Sequence, residues 1–193
     1  MRTGLRAIAL AAMFVVMTGA QAQPVELEGQ KFEPTVQLGG QTLTLNGVGL
    51  RKRAIFKVYV NGLYVPQKST DAAAIINEKG PRRASLRMLR DVDADSFVGA
   101  FTDGLKNNLS EAQLAALKPQ IDAFTSTMKS IGEAKKGDVI NFDYTPDGGT
   151  RITVNGQPRG NAIPGHEFYA AVIRIWLGDK PVDDGLKKGL LGG

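Results

Sequence analysis

Two hydrophobic periods share this chain, and their order constrains its fold more than any single residue does. Between Ile55 and Val65 the period is two. Phe56, Val58, Val60 and Tyr64 fall on one face of an extended segment, which predicts a strand with those residues toward the core. The opposite face carries Ile55, Lys57, Tyr59, Asn61 and Leu63, a mixture suited to solvent or to the wall of a partly polar cavity. Thr42–Val48 and Ala84–Arg90 also read as strands, the latter with Leu86 and Met88 opposed to Ser85 and Arg87. Asp71–Glu78 between them reads as a short helix.

From Asp93 the period lengthens. Phe97, Phe101 and Leu105 recur every four residues behind an Asp93 cap. Ser110 and Gln113 form a capping box ahead of Leu114, Leu117, Ile121, Phe124 and Met128. Pro119 interrupts that run and predicts a kink or a restart near Leu117-Lys118. After Lys135-Lys136-Gly137 the alternation returns through Ile140, Phe142 and Tyr144, then Ile152 and Val154, with Asn155-Gly156 as a hairpin turn. A last helix stripes Phe168, Val172 and Ile175 and stops at Gly178 before Pro181, and the Lys187-Lys188 pair is expected on a short amphipathic helix. Strands, helices, a meander and helices again make an α+β domain, an antiparallel sheet covered on one face. No repeat or linker divides it, so residues 23–193 read as a single domain.

The residue types present exclude much chemistry. Among 193 residues there is no cysteine and one histidine. Disulfides, thiolate nucleophiles, cysteine-ligated metals and histidine-rich sites are therefore absent. The N-terminus has the three parts of a secretory signal: Arg2 and Arg6, the apolar run Ala7–Met17, and the small-residue site Ala20-Gln21-Ala22. Cleavage after Ala22 is expected, leaving a periplasmic or secreted protein. The run is shorter than the roughly 20 residues of a spanning helix, and no later run reaches that length. Without Arg2 and Arg6 the net charge of +5 becomes +3. The basic clusters Arg51-Lys52-Arg53 and Arg82-Arg83 lack the interleaved aromatics of a nucleic-acid platform, so no nucleic-acid partner is expected.

Most candidate motifs have plainer readings. Gly39-Gly40 and Gly47-Val48-Gly49 precede strands, not helices, and cannot cradle a phosphate. Asp91, Asp93 and Asp95 lack the central glycine and closing glutamate of a calcium loop and are better explained by helix capping. Asp183-Asp184 reads as a helix start. His166 beside Glu167 offers one imidazole as a base, against the simpler reading of a surface or capping histidine.

The stretch Gly47-Val-Gly-Leu-Arg-Lys-Arg-Ala-Ile-Phe-Lys-Val-Tyr-Val-Asn-Gly-Leu-Tyr64 resembles the start of the chalcone isomerase-like superfamily. There a glycine-containing turn and an arginine precede a Lys-Val-Tyr-x-x-Gly-Leu-Tyr strand. Gly165-His-Glu-Phe-Tyr-Ala-Ala-Val-Ile-Arg-Ile-Trp-Leu-Gly178, followed by Lys187-Lys-Gly-Leu-Leu-Gly192, looks like the superfamily's bacterial exported branch. The resemblance runs from about Val25 to the end of the chain. It implies an open-faced β-sandwich, a large antiparallel sheet with a layer of helices on one face and a ligand cleft between them. It implies no cofactor and sets no oligomeric state.

The superfamily holds chalcone isomerases, which close a chalcone to a flavanone, and non-catalytic relatives that bind fatty acids. Carried over by position, the enzymes' arginine matches Arg51, with Arg53 the alternative. Their strand threonine matches Tyr59, as in the fatty-acid-binding branch. Their helix tyrosine falls near Phe97, their asparagine near Gly104, and their late-helix polar residue near Ile175. Phe97, Gly104 and Ile175 offer no side-chain donors to a developing enolate, but they do build an apolar wall. The expected ligand is thus a fatty acid or similar small apolar acid. Arg51 and Tyr59 would hold its carboxylate, and Phe97, Phe101 and Ile175 would line its tail. The alternative is an isomerase or intramolecular lyase of unknown substrate with Arg51 as its electrostatic group; a third is an envelope interaction protein without a ligand.

Overall fold

The computed structural model describes residues 23–193. The expected signal segment and its cleavage site lie outside the described residues. Among the described residues, eleven strands and six helices follow one another. A hairpin of β1 (Val25–Leu27) and β2 (Gln30–Phe32) leads into β3 (Thr35–Leu38), β4 (Gln41–Arg53) and β5 (Phe56–Val65). Next come α1 (Ala72–Asn77), β6 (Arg82–Met88) and β7 (Val92–Asp93), then α2 (Ala94–Asn108), α3 (Glu111–Ala116) and α4 (Lys118–Ile131). The chain ends with β8 (Glu133–Ala134), β9 (Val139–Thr145), β10 (Gly149–Val154), β11 (Gln157–Ile163), α5 (His166–Leu177) and α6 (Asp184–Leu190).

Seven strands form one antiparallel sheet in the order β11-β10-β9-β6-β5-β4-β3. Local signals set most boundaries. Asp93 caps α2 by accepting from the Ser96 amide, and Ser110 with Gln113 closes the capping box of α3. Pro119 sits in the first turn of α4, where its missing N–H costs nothing, so the helical run restarts instead of kinking. Asn155 and Gly156 both take positive φ, as a tight right-twisted hairpin requires.

One face assignment is corrected. The helix-covered core takes the odd residues of β5: Leu63 and Val65 are buried in it and Tyr59 packs against it. Val60 and Tyr64 point the other way, into a smaller cluster with Phe32, Leu43 and Leu45, while Phe56 at the strand's start is 52% exposed. Alternation specifies that two faces differ; it does not say which one meets the helices. A second cluster exists because the β1–β2 hairpin lays Phe32 over the far face, so part of that face is covered as well. The rest is polar, with Arg83 pairing Asp143 through two hydrogen bonds at 2.5 and 2.6 Å and Ser85 donating to Asn141.

On the helix face, the two sequence motifs that lie farthest apart pack on each other. A side chain at Gly47 or Gly49 would run into the backbone of α6 at Gly189, Leu190 and Leu186. Asn46 donates to the Leu190 carbonyl at 2.7 Å, and the Lys52 amide donates to Asp183 at 2.9 Å. The glycines thus let the C-terminal helix lie on β4, which carries Arg51.

Candidate functional site

Between the sheet and the helices α2, α4 and α5 lies a cleft of about 460 Å³, within the usual range for small-molecule sites. Its chemistry changes with depth. Arg51, Arg53, Arg90, Asp91, Asp93 and Ser96 stand around the rim with Phe56. The inner wall is Met88, Phe101, Phe124, Phe142 and Val172, all buried. Phe101 and Phe124 stack with ring centroids 4.0 Å apart, closing the floor.

The five residues expected to hold the ligand all line this one cleft, namely Arg51, Tyr59, Phe97, Phe101 and Ile175, with the alternative Arg53 also present. The two arginines differ. Arg51 lies directly opposite Tyr59 in the β4–β5 ladder, and the register shifts just after it, a bulge that can re-aim a side chain. It is largely covered, with its Nη1 donating to the Lys52 carbonyl and lying 3.7 Å from Asp183. Arg53 is exposed at the strand's end. Arg51 has further N–H donors that no side-chain or backbone group among the described residues engages.

Tyr59 has a defined hydrogen-bond direction. The Trp176 indole N–H can only donate, and it gives its proton to the Tyr59 oxygen at 2.9 Å. The tyrosine's own O–H is left as a donor. Burial pushes its pKa up to about 12, more than the Trp176 hydrogen bond and the Arg51 charge can bring it down. Tyr59 is therefore a neutral donor across the physiological range. Asp183 is desolvated too, yet the amides of Lys52 and Leu186 and the Arg51 charge outweigh that and hold its pKa below the usual value. It stays ionised as the cap of α6 and the anchor of Arg51.

Gly104 does not line the cleft. A Cβ there would stand 2.7 Å from Ile175 Cγ2, because α2 and α5 cross closely at this point. Any larger residue would have to push the helices apart. The carboxylates near the rim are already used: Asp93 accepts from both the amide and the hydroxyl of Ser96, and Asp91 accepts from the Lys136 amide. His166 lies outside the cleft, on the Glu78 carbonyl and the Lys79 ammonium. Its pKa is lowered, first by burial and then by the Arg82 and Lys79 charges.

Sequence reasoning missed Trp176, Asp183 as a partner of Arg51, and Phe124 and Phe142 as the floor. Trp176, the only tryptophan, follows Ile175 directly and could have been flagged as a large residue with one donor to place. The pairing of Asp183 with Arg51 spans 132 positions and has no local signal.

A family model described as chalcone isomerase-like matches residues 24–192 of the chain. Among solved structures, the chain resembles the crystal structure of an Arabidopsis thaliana fatty-acid binding protein with a TM-score of 0.67. The two are 18% identical, and the match covers 88% of this chain and 96% of that one. At that identity the likeness concerns the fold: a large antiparallel sheet under a layer of helices. No curated protein matches the chain significantly by sequence.

Proposed function

We propose that this chain, which belongs to the chalcone isomerase-like family, binds a fatty acid or a similar apolar carboxylic acid in the cleft and does not transform it. The observation that carries the reading is the gradient along the cleft. Free donors on Arg51 and Tyr59 stand at its outer half, and an all-apolar floor of Phe101, Phe124 and Phe142 lies beyond them. An amphiphile with one anionic end satisfies both halves, whereas a polar substrate would leave its buried groups unpaired. The structural neighbour's description as a fatty-acid binding protein supports the same ligand class.

Three positions at which the resemblance places the enzymes' polar residues offer no donor here. Phe97 and Ile175 present hydrocarbon, and the α2–α5 crossing leaves no room for a side chain at Gly104. Loss of one preorganised oxyanion donor typically costs on the order of 10²–10³ in rate. Purified protein incubated with a hydroxychalcone is expected to match the buffer blank. Turnover that disappears in Arg51→Ala would overturn the non-catalytic reading.

Binding is tested by titrating a long-chain fatty acid while following Trp176 emission, since the indole lines the cleft. Losing a hydrogen bond to a charged group costs about 1.5–3 kcal/mol, so Arg51→Ala should weaken the acid roughly ten- to a hundredfold. The methyl ester should bind wild type and Arg51→Ala alike. Equal affinity of wild type for acid and ester would remove the arginine clamp.

A further inference from the structure

The β4–β5 hairpin ends in a turn whose residues do not suit a turn in water. Ala54 and Ile55 connect Arg53 to Phe56, and Ala54 takes a φ of 51°. That left-handed backbone favours glycine, asparagine or aspartate. The three other two-residue hairpin turns among the described residues, Glu28-Gly29, Gly39-Gly40 and Asn155-Gly156, all place glycine at the second position, where this turn has Ile55. Ile55 is 89% exposed at the apex and Phe56 beside it is 52% exposed. They are two of the three large hydrophobic side chains exposed among the described residues. A place where local preference and solvation are both violated is a place to look for a function.

The surroundings of this tip are basic. Lys57 is paired with Glu28 and Arg51 lies near Asp183, but Lys52, Arg53 and Arg90 have no acidic partner among the described residues. Arg90 lies over the Phe56 ring at 4.6 Å from its centroid, so cation and apolar surface are presented together. Arg53, Ala54, Phe56 and Arg90 also line the rim of the cleft. The apolar tip and the mouth of the apolar cleft are one continuous surface.

We propose that this hairpin tip docks on an anionic lipid surface, with Ile55 and the edge of Phe56 entering the headgroup region and Lys52, Arg53 and Arg90 facing the lipid phosphates. The proposal rests on the reading of the cleft as a site for an apolar acid and adds where that acid comes from. Docked in this way, the rim opens against the bilayer, and an acyl chain passes along Phe56 into the cleft without crossing water. A basic rim around an inserted apolar residue is the chemistry that a negatively charged membrane–water interface recognises. Each basic side chain near such a surface contributes about fivefold in partitioning, and the contribution weakens within a Debye length as salt rises.

The test is co-sedimentation of the purified protein with phosphatidylglycerol vesicles and, separately, with phosphatidylcholine vesicles. Binding should favour the anionic vesicles and decline with added salt. Ile55→Glu should lower the bound fraction by at least about tenfold, since it replaces an inserted side chain by a charge that the surface repels. Lys52→Glu should lower it less. Ile55 is exposed and does not line the cleft, so Ile55→Glu should bind monomeric fatty acid as wild type does, which also shows that it is folded. Anionic vesicles that hold Ile55→Glu as well as wild type would overturn the proposal, as would equal binding to both vesicle types. If vesicle binding depends on Ile55 while no acid enters the cleft, the docking surface stands and the ligand reading fails.

Discussion

Two places on the helix face of the sheet are built from the same parts and behave differently. At one end, Arg51 on β4 stands beside Tyr59 on β5 and Trp176 on α5. At the other, Arg82 on β6 stands beside Tyr144 on β9 and Tyr169, also on α5. The second place is closed. Arg82 is 0% exposed, donates to the Ile75 and Ile76 carbonyls, and lies 5.3 and 4.9 Å from the two tyrosine ring centroids. Its Nε and Nη2 have no hydrogen-bond partner among the described residues, and burial lowers its pKa. The first place opens on a cleft and keeps donors free within reach of a solute. An arginine between aromatics is thus a structural bolt for α1 where the helices seal it and a candidate ligand clamp where they stand apart.

The largest expected difference is in stability. Arg82→Ala removes a large buried side chain and leaves two helix-end carbonyls unpaired, a loss of about 3–5 kcal/mol. Arg51→Ala removes a partly exposed ion pair worth about 0–1 kcal/mol. Urea unfolding of both variants should show the first midpoint collapse and the second barely move. Similar midpoints would break the distinction between bolt and clamp.

Alkaline pH should strain both places. Tyr59 titrates near 10 in the unfolded chain and at about 12 when folded. Between those values the unfolded state has lost its proton and the folded state has kept it. The stability present below pH 10 is therefore lost as pH rises through the folded value, by about 3 kcal/mol in full. Tyr169 is shifted upward as well, again first by burial. Denaturant midpoints should be insensitive to tyrosine titration up to pH 10 and fall beyond it, and Tyr59→Phe should remove part of the fall. An unchanged slope in Tyr59→Phe would mean its hydroxyl ionises freely while folded.

Gly104→Asn, which puts the enzymes' residue type at the α2–α5 crossing, should destabilise by about 1–3 kcal/mol through overpacking. A thermal melt equal to wild type would show that the crossing can open, and the case against catalysis would lose its steric half. The smallest effect concerns the donor at Tyr59. Tyr59→Phe should weaken fatty-acid binding about tenfold, at the low end for one hydrogen bond to a charged group. Trp176→Phe should matter less, since the tyrosine keeps its own proton to donate. If Trp176→Phe is the more damaging, the indole itself holds the ligand.

Much of the fold was readable from local rules. The caps at Asp93 and Ser110, the restart at Pro119 and the Asn155-Gly156 hairpin depend on groups within four residues of one another. The choice of core face in β5 was not readable, because both faces carry apolar residues and the structure buries both, in different clusters. For the site, Arg51, Tyr59, Phe97 and Ile175 came from likeness to a family and Phe101 from the helical stripe it shares with Phe97, and all five line one cleft. Their setting came from elsewhere in the chain.

The sequence alone determined the order of strands and helices and the absence of thiol chemistry, since each depends on residue type or on short-range backbone geometry. Only the tertiary structure decided that Arg82 is sealed and Arg51 faces the cleft, that Trp176 turns Tyr59 into a donor, and that Ile55 is left exposed beside the cleft's rim. Exposure and hydrogen-bond direction belong to residues brought together from separate elements, Tyr59 and Trp176 across 117 positions of chain, and no local pattern records such meetings.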